Sequence, residues 1–282
     1  MITKLLGFRS ANASAQRVAA FERLTRLPTF HPTAIQLLSL STESDSALAD
    51  FERVFKADVT LTADLLLTAN SAVYGLRSRV QTIRHALTLL GLERVRSLAC
   101  HIAWGSYLRQ RPAESLRPLW QHSIATAIVG EALGMLYHVP GLYTAGLLHD
   151  LGRLGLLLSD GQRYAETLEP RPADLQEAIE RESAFCGMSH CDAGGLLAQT
   201  WGFPELLQVT MVDHHGQRSL TSGSPVGLIQ AACHMADWLG YPELHASTTA
   251  PLLPQHIMEA PQLAPLRLRE VIERQITLLG AG

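Results

Sequence analysis

Charge is scarce in this chain: Asp, Glu, Lys and Arg together make up 17% of its 282 residues. Lys plus Arg number 23 and Asp plus Glu 26, a formal net charge of −3. That balance excludes a polybasic nucleic-acid binder or a polyacidic tail as a description of the whole, and no specific nucleic-acid partner is expected. Long apolar runs are also missing. None reaches the roughly 18 residues that would suggest a membrane span, so no membrane segment is expected. The apolar stretch ahead of Ala11-Asn12-Ala13-Ser14-Ala15 is short and broken by Arg9, so it is not read as a signal peptide. Cysteine is sparse. Cys100, Cys186, Cys191 and Cys233 show no CxxC spacing, which suits a reduced, cytoplasmic protein with partly buried thiols. Strand-like alternation is lacking, and aromatics are only 6%.

What the chain does have is apolar mass, 47%, enough for a sizeable core and too much for disorder. The apolar residues recur at intervals of three and four, so the expectation is an all-α, two-lobe protein. Residues 1–18 read as a loose tail. Helices are expected over Thr33–Leu40, from a cap at Ser44–Ser46 to Lys56, Leu61–Ala72, from Thr82 to Leu90 with Gly91 as stop, and Leu92–Leu108. Pro112 and Pro118 mark the expected domain boundary. Beyond it helices are expected over Leu119–Tyr137, Thr144–Leu158, Leu175–Phe185, Ser189–Trp201, Glu205–His214, Val226–Leu239 and Leu266–Leu279. Pro242–Pro265 reads as irregular. Gly194-Gly195 reads as a device for close helix packing rather than a phosphate loop.

The second half carries an ordered set of metal-ligand side chains: His122, the pair His149-Asp150, His190, the pair His214-His215, and Asp237. Successive members lie about one helix plus a connection apart, so they can converge in a bundle core. Imidazole and carboxylate suit Fe, Mn, Zn or Ni, in a mono- or binuclear centre. Leu147-Leu148 and Leu151 surround the His149-Asp150 pair, and a buried Asp needs a cation or hydrogen bonds. His31, His85, His101, His138, His234, His245 and His256 are read as ordinary core or surface residues. Asp192 and Asp213 flank ligands and could orient an imidazole.

The order His122, His149-Asp150, Asp237 resembles the HD superfamily of metal-dependent phosphohydrolases. His190 and His214-His215 resemble the extra ligands of its binuclear members, including the HD-GYP cyclic-di-GMP phosphodiesterases. Leu27-Pro28, the helix around Asp58–Ala69, Ala69-Asn70-Ser71-Ala72-Val73-Tyr74-Gly75-Leu76, Ile83–Leu92 and Trp201-Gly202-Phe203-Pro204 are similar to the HDOD domain, over roughly Arg23–Leu239. The resemblance implies a lobe over 19–114 and an HD-like helical lobe over 115–282, the latter with a C-terminal extension. It also implies a bacterial signal-transduction output module, since many HDOD domains have lost ligands and hydrolase activity.

Three departures from the active phosphodiesterases point the same way. Arg153 follows the His-Asp pair where those enzymes carry Lys. Gly216-Gln217-Arg218 follows His214-His215 with no Gly-Tyr-Pro. Pro118 stands where some have a Glu ligand. The leading expectation is a regulator that keeps its metal site, lacks hydrolase activity, and acts through a signalling protein partner or small signal. The alternative is a metal-dependent phosphohydrolase acting on a nucleotide or cyclic dinucleotide. In it Asp150 bridges the ions and Arg153 neutralises the phosphoryl oxygens. A third reading is nucleotide sensing without hydrolysis, aided by Arg77, Arg79, Arg84, Arg94 and Arg96. For those arginines a solvated face is the simpler reading, as helix termination is for Asn70 and Ser71.

Overall fold

The computed structural model describes residues 11–27, 29–70, 79–108, 113–216, 223–245, 247, 249 and 253–278. The described residues hold helices and no strands. The chain divides into two compact units, Met1–Pro28 with Leu148–Leu253, and Thr29–Leu147 with Pro254–Gly282. This differs from the expected division at 114/115. Helix α7, Ala113–Tyr137, runs straight through Pro118, and both of its ends belong to the same unit. Pro118 lies inside that helix and gives up one backbone bond there without ending it, so it does not mark where these units divide.

The unit containing Thr29–Leu147 is built from α2 (Pro32–Ser39), α3 (Ala47–Lys56), α4 (Val59–Ala69), α5 (Ile83–Leu90), α6 (Leu92–Leu108), α7 and α8 (Leu142–Leu148). Phe51 and Phe55 on α3 meet Leu61 and Leu65 on α4, with Ala86, Leu87, Val95 and Leu98 around them. Each pair lies four residues apart, on one helical face. Thr82 caps α5 through the His85 amide (3.1 Å), as its position predicts. The segment beyond Pro242 is not wholly irregular. It holds α15 (Gln255–Met258) and a 3₁₀ turn before the expected last helix, α16 (Pro265–Leu278), whose Leu268, Ile272 and Ile276 form a buried stripe against α7.

Asn70 ends α4 with its side chain folded onto the backbone. Its amide donates to the carbonyls of Leu66 (2.7 Å) and Val80 (2.8 Å), and its oxygen accepts the Val80 amide (2.8 Å). It therefore ties the end of α4 to Val80 as a structural clamp. Asn70→Ala should cost about 1–2 kcal/mol in urea denaturation. Asn70→Asp should be no better, because an oxygen would then face two carbonyls. Ser71, Tyr74 and Arg77 lie outside the described residues. Arg84 pairs with Glu52 (2.9 Å), and Arg96 bonds Glu93 and the Leu40 carbonyl, so these two arginines are engaged within the fold.

The other unit contains α1 (Ala11–Thr25), α9 (Leu151–Ser159), α10 (Gly161–Leu168), α11 (Leu175–Cys186), α12 (His190–Thr200), α13 (Glu205–Asp213) and α14 (Pro225–Trp238). The described part of the expected tail, residues 11–18, is helical. Helix α1 packs on α9, α11 and α12, with Ala20 and Leu24 buried and Arg23 bonded to the Cys186 carbonyl (3.0 Å). Asp174, Ser189 and Ser224 cap α11, α12 and α14. Residues 151–156 of α9 are all buried. Helices α9 and α12 touch backbone to backbone. A Cβ on Gly152 would lie 1.9 Å from the His190 carbonyl oxygen, and one on Gly195 would lie 2.5 Å from Val212 on α13. The glycine pair 194-195 thus serves close packing, as its position in a helix predicts. No described helix is long and apolar enough to cross a membrane.

Candidate metal centre

The sequence reads as one helix over Thr144–Leu158, but the structure breaks it at the His149-Asp150 pair. Helix α8 ends at Leu148 and α9 begins at Leu151, with Asp150 at the cap position. Hydrophobic periodicity carries across this junction and hides the break. The break places a carboxylate at the N-terminus of a helix whose residues 151–156 are all buried, and Asp150 itself is 0% exposed.

Around that carboxylate stand three imidazoles and one guanidinium. Asp150 Oδ1 lies 3.3 Å from Arg153 Nε, 3.4 Å from His214 Nε2 and 3.6 Å from His190 Nε2. Asp150 Oδ2 lies 3.7 Å from His149 Nε2. Burial opposes the charge on Asp150, but Arg153, then His149, His214 and His190, hold its pKa well below the usual carboxylate range.

Arg153 is 4% exposed and meets three carboxylates. Besides Asp150, its Nη1 bonds Glu182 Oε1 (3.0 Å) and its Nη2 bonds Glu243 Oε1. Against burial, these partners raise its pKa well above the ordinary value. The expected role for Arg153, neutralising phosphoryl oxygens, needs donors that here are turned onto the protein's own acids.

Each imidazole is oriented by a defined partner. His190 Nδ1 lies 2.6 Å from Glu182 Oε2, which also accepts the His190 amide (2.9 Å). Burial and Arg153 oppose a charge on His190. Glu182, with Cys191 adding to it, outweighs them and raises its pKa well above the imidazole range. His214 Nδ1 faces the carbonyls of Met211 (3.0 Å) and Thr210 (3.2 Å), so that nitrogen carries the hydrogen. Burial, with the neighbouring His215, lowers the His214 pKa to about 4, so the ring is neutral. Its Nε2 lone pair therefore faces the carboxylate. His215 Nε2 lies 3.1 Å from Glu243 Oε1, while burial lowers its pKa against the pull of that carboxylate.

His214 Nε2 and Asp150 Oδ2 are buried and make no hydrogen bond. Two facing electron-pair donors in a dry site fit a cation between or beside them. Ligand atoms converge to within 4.8 Å in three overlapping groups inside this unit. These are His149, Asp150 and His214; Asp150, His190, His215 and Glu243; and His190, Cys191, His214 and His215. The cluster can hold a metal ion.

Within this unit alone, five of the seven expected ligands, His149, Asp150, His190, His214 and His215, are thus brought together. His122 lies in the other unit, fully buried in α7, with its Nε2 3.4 Å from Thr126 Oγ1. Asp237 joins none of the converging groups among the described residues; its Oδ1 accepts the Glu243 amide (2.9 Å) and so positions that glutamate. Asp192 pairs with Arg17 (3.3 Å). The carboxylate that does orient an imidazole is Glu182. The sequence shows it only as an acid at four-residue spacing between Ala178 and Cys186 on α11; the burial of that stripe comes from the fold. Glu243 follows Pro242 in a stretch read as irregular, where no periodic signal exists.

An HDOD domain family model matches residues 27–217. Among solved structures, an HDOD domain protein of unknown function from Geobacter sulfurreducens superposes with a TM-score of 0.71 at 20% identity, covering 95% of this chain and 97% of that one. A provisionally described phosphohydrolase from Shewanella amazonensis gives 0.64 at 21% identity, covering 94% and 96%. A provisionally described signal transduction protein from Marinobacter aquaeolei gives 0.65 at 18% identity, covering 98% and 66%. At these identities the likeness concerns the fold. An uncharacterized protein of Treponema pallidum is 24% identical over 198 residues, which is 69% of this chain and only 38% of that protein.

Proposed function

Because the chain belongs to the HDOD family, we propose that it is a signal-transduction output module that retains a metal centre as scaffold and does not hydrolyse phosphoesters. The observation that carries this reading is Arg153, whose guanidinium is buried and shared among Asp150, Glu182 and Glu243. A cation spent on three internal carboxylates cannot also stabilise charge developing on a phosphoryl group. It instead holds the acids that frame the imidazoles. The output is read by a signalling protein partner or a small signal molecule, and the centre keeps the presenting helices in register.

A second reading, a metal-dependent phosphohydrolase acting on a nucleotide or cyclic dinucleotide, draws on the bare donors His214 Nε2 and Asp150 Oδ2. A bound metal ion would supply Lewis acidity there. His190 and His214 would hold their orientation through Glu182 and the Met211 carbonyl.

Elemental analysis of protein purified without chelator separates the possibilities. The expected result is about one to two equivalents of Fe, Mn, Zn or Ni, lost in the His149→Ala/Asp150→Ala variant, with no turnover across a phosphoester panel. Metal-dependent turnover that disappears in the variant would establish the hydrolase instead. A folded protein without stoichiometric metal would overturn the metal centre in both readings.

A further inference from the structure

Cys191 stands apart from the other thiols. Cys100, Cys186 and Cys233 are buried, while Cys191 is half-buried at the second position of α12. Its Sγ lies 3.5 Å from His190 Nε2. Sγ and one ring nitrogen from each of His190, His214 and His215 all lie within 4.8 Å of one another. Zinc bonds of about 2.3 Å to sulfur and 2.0–2.1 Å to nitrogen set tetrahedral edges of roughly 3.3–3.6 Å. The Cys191–His190 pair already has that separation, and the others need only small side-chain movements. His214 supplies a buried ring nitrogen, 2% exposed as a residue, that makes no hydrogen bond.

We propose that Cys191 is a thiolate ligand, completing with His190, His214 and His215 a three-nitrogen, one-sulfur position for a borderline-soft divalent ion such as zinc. The assignment rests on the reading that the centre holds metal, and it goes beyond the imidazole and carboxylate ligands expected from the sequence.

Charge bookkeeping favours this set over the overlapping carboxylate group. Asp150 and Glu243 are both engaged by Arg153, and Glu243 is engaged by His215 as well. Drawing them onto an ion would break their bonds to Arg153, whereas the thiolate set disturbs no bond of Arg153 and at most the His215–Glu243 contact. Among the described residues the Cys191 sulfur has no ion-pair partner to give up, only its contact with His190 Nε2. Metal binding displaces the thiol proton to solvent and leaves the sulfur electron pair on the ion. A thiolate also moves the preference of the site away from Mn and toward Zn or Fe.

The test is a titration of the 282-residue chain and of Cys191→Ala and Cys191→Ser with Co²⁺, followed by ultraviolet-visible absorption. It is paired with iodoacetamide labelling and peptide mapping with and without Zn²⁺. The wild type should show a near-ultraviolet sulfur-to-cobalt charge-transfer band. Both variants should keep the visible cobalt bands, lose the sulfur band, and bind about tenfold more weakly or worse. Zinc should slow alkylation of Cys191 by at least about tenfold. Circular dichroism of the variants checks that they fold. Cobalt bound without a sulfur band, or labelling indifferent to zinc, would overturn the thiolate while leaving the metal centre standing. No binding of either ion by the folded wild type would overturn both.

Discussion

Arg153→Met should lose about 3–5 kcal/mol of stability, measured by urea denaturation with metal removed. The side chain is 4% exposed, and its guanidinium is bonded to Asp150, Glu182 and Glu243. Removing one partner of a buried ionic network strands the others, which costs more than the network contributes when complete. Here three acids would be left. Methionine fills the same apolar stem, so the loss reports charge rather than volume. Arg153→Lys should recover only part, because a single ammonium cannot address three carboxylates from a planar fork.

The pH dependence has a definite sign. In the wild type the pKa values of Asp150, Glu182 and Glu243 are depressed, so the stability they contribute is present above their unfolded values. It is lost as pH falls through the folded ones. In Arg153→Met that acid-side loss should shrink or reverse, because protonation would then relieve the stranded charge. Added Zn²⁺ should restore part of the lost stability through binding to the folded state alone. A variant with the wild-type urea midpoint in the absence of metal would sink this account of the network.

The helical class and most helix bounds were legible because apolar periodicity and caps coincide. Thr82 and Gly91 bracket α5 in this way. The misread elements share a cause: a local signal overridden by tertiary contact. The run Thr144–Leu158 looks like one helix because every turn of it is apolar, yet the pair that gives the site its character sits at a break. Helix α1 looks like a tail because its apolar face is narrow; Ala20 and Leu24 nonetheless bury against α9 and α12. The site was half legible. Imidazoles announce themselves by residue type and order. Glu182 and Glu243 do not, since glutamates are common on helix surfaces and in loops, and only the fold shows that Arg153 gathers them. Non-contiguous units such as these also leave no compositional seam, and their division does not fall at the prolines at 112 and 118.

Gly152→Ala should cost about 3 kcal/mol or more and should release bound metal, although alanine is the better helix former. The added Cβ would sit 1.9 Å from the His190 carbonyl oxygen and 2.6 Å from the Gly194 amide nitrogen, both of them backbone. Neither atom can rotate aside, so α9 and α12 must separate. Those two helices carry Arg153 and His190, and Glu182 bonds both. Spreading them by even 1 Å or so would therefore weaken the network and the ligand geometry together. Gly155→Ala, one turn along α9, is the control. Its Cβ would meet Leu197 Cδ1 at 2.6 Å, the far end of a flexible side chain, so repacking should hold its cost to about 1 kcal/mol with metal retained. Urea midpoints and elemental analysis of the two variants read both effects. If Gly152→Ala matched Gly155→Ala in stability and metal content, backbone contact between α9 and α12 would not be what holds the centre in register.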